Sequence, residues 1–248
     1  MKQNVLMARS KYTSVVTGGT RGIGKEIVAV LRKRGDNVFT VSRRSLNRRD
    51  HIAVDLSCSE NISRLTRIFG RKKIDNLVLC HRYRGDSLIE EIDVSFQGMH
   101  QVVDCLTNNL SKNSSIVIVG SIASQFIIDE QPFVYHGTRA ALENLARYLS
   151  VRLGPSGVRC NCVMPTTLIK SENKDFFTTD NPVRRLLEEI TPLQKMGKAS
   201  DIAYLLEFLC SDKSSFISGQ SIVVDGGLSA VSQESIARRL TGLSHPRR

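Results

Sequence analysis

Between positions 17 and 24 the chain reads Thr-Gly-Gly-Thr-Arg-Gly-Ile-Gly. A loop so poor in side chains lets backbone N–H groups close around an anion, and a helix beginning at its end adds the positive pole of its dipole. Gly18, Thr20, Arg21, Gly22, Ile23 and Gly24 are therefore predicted to contact the pyrophosphate of a dinucleotide. Glycines also mark ordinary tight turns, so this reading requires a strand before the loop and a helix after it. Some twenty residues further on, an NAD-binding chain usually carries an Asp or Glu for the ribose 2′-hydroxyl. Here that place holds Ser42-Arg43-Arg44. A carboxylate would repel a 2′-phosphate, whereas a guanidinium grips one through paired charge-assisted hydrogen bonds. The expected cofactor is NADP(H), with Arg21 as a second cation; the competing reading of the two arginines is a solvated basic turn.

The elements that must position these groups follow from hydrophobic patterning. Tyr12–Thr17 reads as a β-branched strand, and the glycine loop leads into a helical pattern with Ile23, Ile27, Val30 and Leu31 on one face, stopped by Gly35-Asp36. Further strands are predicted at 37–42, 52–55, 77–80, 115–119, 158–163 and 222–224. They are continuous apolar runs, as expected where helices cover both faces of a sheet. Strand and helix alternate along the chain. The expected fold is a single α/β unit, a Rossmann-like doubly wound parallel sheet of about seven strands, with its core over 10–228 and a C-terminal extension over 229–248.

Composition narrows the function. The 248 residues are 41% hydrophobic and carry a net charge of +11, enough to raise nucleic acid as a partner. The excess is local: residues 1–84 hold 19 Lys/Arg against 6 Asp/Glu, and the remainder is nearly balanced. The basic third is also the third that carries the glycine loop, and it lacks interleaved aromatics for stacking bases, so no nucleic-acid partner is expected. No apolar stretch is long enough to span a membrane, and the N-terminal residues have no signal-peptide pattern. A cytoplasmic protein is expected. Six cysteines, at 58, 80, 105, 160, 162 and 210, show no zinc-like spacing, so neither a metal nor a disulfide framework is expected.

The loop TGGTRGIG resembles the TGxxxGxG loop of the short-chain dehydrogenase/reductases, and the resemblance extends over roughly 10–228. Asp55-Leu56 looks like the family's adenine contact, Tyr135 through Arg139 stands where the family has YxxxK, and Pro192–Gly227 is similar to its closing helix, strand and VDGG turn. The resemblance implies Tyr135 as general acid/base and Ser121, fourteen residues earlier, as the group that polarises a carbonyl. It also implies cofactor contacts from Cys80, Tyr135, Arg139, Pro165 and Leu168. The chain departs from the pattern in four places. Arg139 replaces the lysine that lowers the tyrosine pKa and holds the ribose; Ser95 replaces the asparagine of a water relay; Leu79-Cys80-His81-Arg82 replaces NNAG; and Pro165-Thr166 replaces Pro-Gly, with Lys170 where a phosphate-contacting threonine often stands. Lys170 reads equally as a point charge on the pyrophosphate and as a solvated loop lysine.

A tyrosine ionises near ~10 in water, so a base working at neutral pH needs about 4 kcal/mol of help from a nearby cation. Arginine supplies the charge, with a longer and wider head than an ammonium. His81, Arg82, Arg84 and Lys174 are expected at the carboxyl ends of the strands, where they would suit an anionic substrate of sugar, nucleotide-sugar or acyl type. The function expected is hydride transfer between nicotinamide and a carbonyl or alcohol. The alternative is a dinucleotide-binding sensor or partner subunit with little turnover, motivated by Arg139 and Ser95. The resemblance further implies a homotetramer or homodimer built on the helix that starts at Tyr135.

Overall fold

The computed structural model describes residues 12–243. The limits expected at 10 and 248 fall outside these residues. Seven strands, β1 (Thr13–Thr17), β2 (Asn37–Ser42), β3 (His51–Ala53), β4 (Ile74–Leu79), β5 (Leu110–Val119), β6 (Arg159–Pro165) and β7 (Ser221–Val224), form one sheet in the order β3-β2-β1-β4-β5-β6-β7. Every neighbouring pair is parallel. The strand order reverses between β1 and β4, which opens a crevice beyond their carboxyl ends.

The connecting helices are α1 (Gly22–Arg34), α2 (Ser59–Phe69), α3 (Leu88–Glu91), α4 (Gly98–Leu106), α5 (Phe133–Leu153), α6 (Lys174–Thr178), α7 (Pro182–Ile190), α8 (Ala199–Leu209) and α9 (Gln233–Thr241), with a π-helical turn at Ile92–Gln97 between α3 and α4. One face of the sheet packs Val15, Leu77, Ile116 and Cys162 against Leu65 of α2, Val102 of α4 and Leu142 of α5. The other packs Val16, Val78, Val117 and Val163 against Leu31 of α1 and Leu206 of α8. Alternate strand residues thus serve opposite cores, which is why the strands read as unbroken apolar runs.

The observed strands lie where the sequence places them, with longer bounds for β4 and β5. β5 begins at Leu110 because that residue pairs with Ile74 of β4 ahead of an irregularity in the register, so the strand starts before its apolar stretch. α1 ends as expected: Arg32, Lys33 and Arg34 fill its last turn, and Gly35 adopts a left-handed φ of 98°, a conformation glycine takes without a Cβ penalty. Leu142, Leu145 and Leu149 of α5, the helix on which assembly is expected, are buried in the protein's own core. The large apolar side chains that α5 leaves exposed are Phe133, Tyr148 and Val151.

Candidate functional site

The crevice at the reversal point is a cleft of about 330 Å³. All the residues expected at the dinucleotide line it, from Gly18 through the loop to Gly24, then Ser42, Arg43 and Arg44, Asp55 and Leu56, Cys80, Pro165, Leu168 and Lys170. Tyr135, Arg139 and Ser121 line it from the other side. Segments as far apart in the chain as Gly18 and Lys170 converge here because the strands deliver their following loops to the same edge of the sheet, with α5 adding Tyr135 and Arg139.

The glycine loop is shaped for close approach. Gly18 has φ +67°, and a Cβ there would sit 2.7 Å from the His81 backbone nitrogen. A Cβ on Gly24 would strike the Gly18 carbonyl oxygen. α1 begins with no side-chain cap and no acidic residue in its first turn, so its leading N–H groups are left to meet an anion. At the end of β2, Arg43 and Arg44 are exposed. His51 braces them from β3: its Nε2 lies 2.6 Å from the Arg44 carbonyl oxygen and its Nδ1 2.8 Å from Thr40 Oγ1.

Opposite the loop, Arg139 is almost wholly buried, at 2% exposure. Its Nη2 donates to Glu91 Oε1 at 2.5 Å, and its guanidinium carbon lies 4.6 Å from the centre of the Tyr135 ring. Its Nε has no hydrogen-bond partner. Ser121 Oγ accepts from the Ala123 backbone at 3.2 Å, which leaves its own proton available to a ligand.

Three of the expected residues lie in other surroundings than expected. Ser95 is fully buried in the π-helical turn and its Oγ accepts from the Tyr83 backbone N–H at 2.9 Å; it fixes the Tyr83 loop and does not line the cleft. His81 was expected as a cation for substrate, but its imidazole is buried, and Nδ1 lies 2.7 Å from Thr17 Oγ1. Burial first, and then the charge of Arg139, push its pKa down to about 3. It is a neutral strut between β1 and the β4 loop. Lys174 sits at the start of α6, exposed and outside the cleft, because the chain turns away after Asn173 bonds back to Lys170 and Leu168.

Arg82, Arg84 and Lys170 do face the cleft. Arg84 is paired with Glu172 at 3.1 Å, which leaves less of its charge for a ligand. Lys170 is half-buried; burial, and then the nearby Arg82, lower its pKa, with Glu172 opposing. Four residues that shape the site were missed in the sequence: Glu91, Glu172, Tyr83 and His51. None belongs to a motif, and their partners stand 7 to 88 residues away, a pairing that only the fold makes visible.

A doubly wound parallel sheet with a glycine-cradled, basic cleft at its reversal point defines a dinucleotide-binding α/β protein. The residues present fit such a group: the cradle excludes any Cβ at Gly18, and Arg139, one of the lining residues, has a buried Nε with no protein partner. Residues 80–229 match the family described as Enoyl-(Acyl carrier protein) reductase. A tropinone reductase homolog of Arabidopsis thaliana is 27% identical over 243 residues, covering 87% of this chain and 90% of the relative. An L-rhamnose 1-dehydrogenase (NAD(P)(+)) of Sphingomonas is 25% identical over 244 residues, covering 87% and 95%. Among solved structures, a short chain dehydrogenase family protein from Francisella tularensis superposes with a TM-score of 0.79 at 26% identity, covering 89% of this chain and 99% of that one. The chain belongs to the short-chain dehydrogenase/reductases, a family of oxidoreductases that use a nicotinamide dinucleotide. Among the described residues no helix is long and apolar enough to cross a membrane, and no cluster of three or more His, Cys, Asp or Glu is arranged to hold a metal ion.

Proposed function

We propose that this protein is an NADP(H)-dependent oxidoreductase acting on a small carbonyl or alcohol substrate, as one catalytic unit over 10–228. The observation that carries the reading is the convergence of Tyr135 and Ser121 with the glycine loop and the Arg43-Arg44 pair on one cleft. When bound, the nicotinamide supplies hydride to a carbonyl carbon or accepts it from an alcohol carbon. Backbone N–H groups of the loop and the start of α1 would hold the pyrophosphate, with Lys170 as a point charge. Arg43, Arg44 and Arg21 would take the 2′-phosphate, and Asp55 and Leu56 the adenine. Ser121 donates its hydroxyl hydrogen to the reacting oxygen, and Tyr135 passes a proton to that oxygen in reduction or removes one in oxidation. Arg139 Nε, unpartnered and buried, is the donor available to a ribose hydroxyl.

For an anionic substrate the support narrows to Arg82 with Lys170, since His81 is neutral, Lys174 lies elsewhere and Arg84 is paired. A cytosolic homodimer or homotetramer is part of the same reading, supported by the exposed Tyr148 and Val151 of α5 and Tyr204 of α8. α9, within the extension, buries none of its residues.

A second reading, dinucleotide binding with little turnover, is favoured by one observation: the cation beside Tyr135 is already paired with a carboxylate. Fluorescence titration with NADPH, followed by absorbance at the nicotinamide band across a panel of aldoses, small ketones and alcohols, separates the two. Binding with turnover supports the oxidoreductase, binding without it the second reading, and no binding overturns both.

A further inference from the structure

Two adjacent carboxylates at the end of α3 go opposite ways. Glu90 reaches outward and accepts the Tyr83 hydroxyl at 2.5 Å. Glu91, 4% exposed, turns inward, where its Oε1 accepts both the Arg139 guanidinium at 2.5 Å and the Thr138 hydroxyl at 2.7 Å. Thr138 and Arg139 are consecutive on α5, so a single oxygen ties two neighbouring residues of that helix to the turn that precedes the π-helical segment. A guanidinium buried this far without a counter-charge would be strongly destabilising. With Glu91 it forms a pair that is close to neutral.

We propose that Glu91 is a positioning residue of the reaction centre, cancelling the charge of Arg139 and holding its guanidinium against the ring of Tyr135. The proposal rests on the reading of Tyr135 as the acid/base. The tyrosine does not face a free cation, as a lone lysine or arginine would provide; it faces a fixed dipole. Two donors of the fork are thereby separated in role: Nη2 is committed to Glu91, and Nε stays unpartnered. Glu91 acts through Arg139 and takes no direct part in proton transfer.

Other titratable groups surround the pair, among them Glu143 on α5, buried and itself paired with Arg147 at 3.4 Å. His81, from the loop after β4, is held neutral by burial and by Arg139 itself, its pKa near 3. Cys162 on β6, within electrostatic reach of Arg139, stays a thiol, pushed up to about 12, chiefly by burial and then by Glu143. His136, whose ring meets that of Tyr135 edge-on at 6.0 Å, accepts the Ile128 N–H on Nε2 at 2.9 Å. Lys170, with Arg82, Arg84 and Glu172 around it, lies on the loop side of the cleft.

The test follows the ionisation of Tyr135 directly in the free protein. The five tyrosines are labelled with 13C at the ring carbon bearing oxygen, the Tyr135 resonance is assigned by its loss in Tyr135→Phe, and its shift is followed from pH 7 to 11. Glu91→Gln keeps an acceptor for Nη2 and exposes the cation's charge, so the midpoint is expected to fall by about one pH unit. Glu91→Leu with Arg139→Met removes both charges at once, a replacement that buried ion pairs commonly tolerate; its midpoint is expected within about 0.3 pH units of the wild type, since ~0.4 kcal/mol would otherwise have to come from a charge left uncancelled. A midpoint unmoved in Glu91→Gln, or raised by a unit or more in the double variant, overturns the proposal. If Glu91→Gln does not fold, the double variant decides alone. The titration needs neither cofactor nor substrate, so a failure of NADPH binding or turnover sinks the functional reading without altering this result.

Discussion

The two arginines at the end of β2 make a quantitative demand on cofactor choice. Arg43 and Arg44 are exposed at the mouth of the cleft, with no carboxylate beside them in the second-strand position. In a water-like dielectric a guanidinium at ~4 Å from one phosphate charge gains about 1 kcal/mol, and screening by salt reduces this further. A 2′-phosphate carries between one and two charges at neutral pH, so two arginines together are expected to supply about 1.4 to 3 kcal/mol, a preference for NADPH over NADH of at least about tenfold. Arg43→Ala with Arg44→Ala should erase that preference while leaving NADH binding within a few-fold. Isothermal titration at ~50 and ~200 mM salt reads both affinities, and the NADPH constant should weaken more steeply with salt. Equal constants for the two cofactors in the wild type, or a double variant that loses both alike, would refute the reasoning.

Three other perturbations bear on the same cleft. Gly18→Ala places a Cβ 2.7 Å from the His81 nitrogen at φ +67°, so it is expected to abolish dinucleotide binding and to destabilise the fold by about 2 kcal/mol or more in a urea melt; a variant that binds NADPH normally contradicts the cradle. Glu172 places its carboxylate beside Gly22, within 3.0 Å of where a Cβ would stand, so Glu172→Gln should tighten NADPH binding a few-fold by removing a competing anion, and weakened binding would assign Glu172 a supporting role instead. His81 holds a proton only near pH 3 when folded but near 6.5 when unfolded. The unfolded chain therefore binds more protons between those values, and stability should fall as pH drops through that window, by at most about 1.4 kcal/mol per unit. His81→Gln should remove that component of the slope in urea midpoints measured from pH 7 to 4, and an unchanged slope would mean that His81 is protonated in the fold.

Legibility in the sequence was uneven for physical reasons. The glycine loop, the arginine pair and the seven strands are local features, set by short-range sterics and apolar runs, and each is readable from a few neighbouring residues. β4 and β5 extend beyond their unbroken apolar stretches because Ile74 and Leu110 pair with each other and are buried together, although polar residues separate each from the apolar run that follows. The expected cations failed where burial decides the charge: nothing in Cys80-His81-Arg82 reveals that the imidazole is packed under Thr17 while the next side chain reaches solvent. Arg139 was visible as a departure from the family's lysine, whereas Glu91, 48 residues earlier, has no signature of its own. Its role arises from the way α3 and the π-helical turn rotate one carboxylate inward and the other outward. Leu142, Leu145 and Leu149 of the helix on which assembly is expected lie in the core, because apolar residue types alone do not distinguish a core stripe from an assembly surface.

The central claim, that Tyr135 exchanges the proton during hydride transfer in this cleft, is tested most directly by comparing wild type and Tyr135→Phe for NADPH oxidation with whichever carbonyl compound the panel shows to be turned over. Wild-type turnover should fall by at least about a hundredfold in the variant, while NADPH affinity stays within a few-fold, because the lost hydroxyl serves proton transfer more than binding. Turnover that survives Tyr135→Phe unchanged would contradict the account.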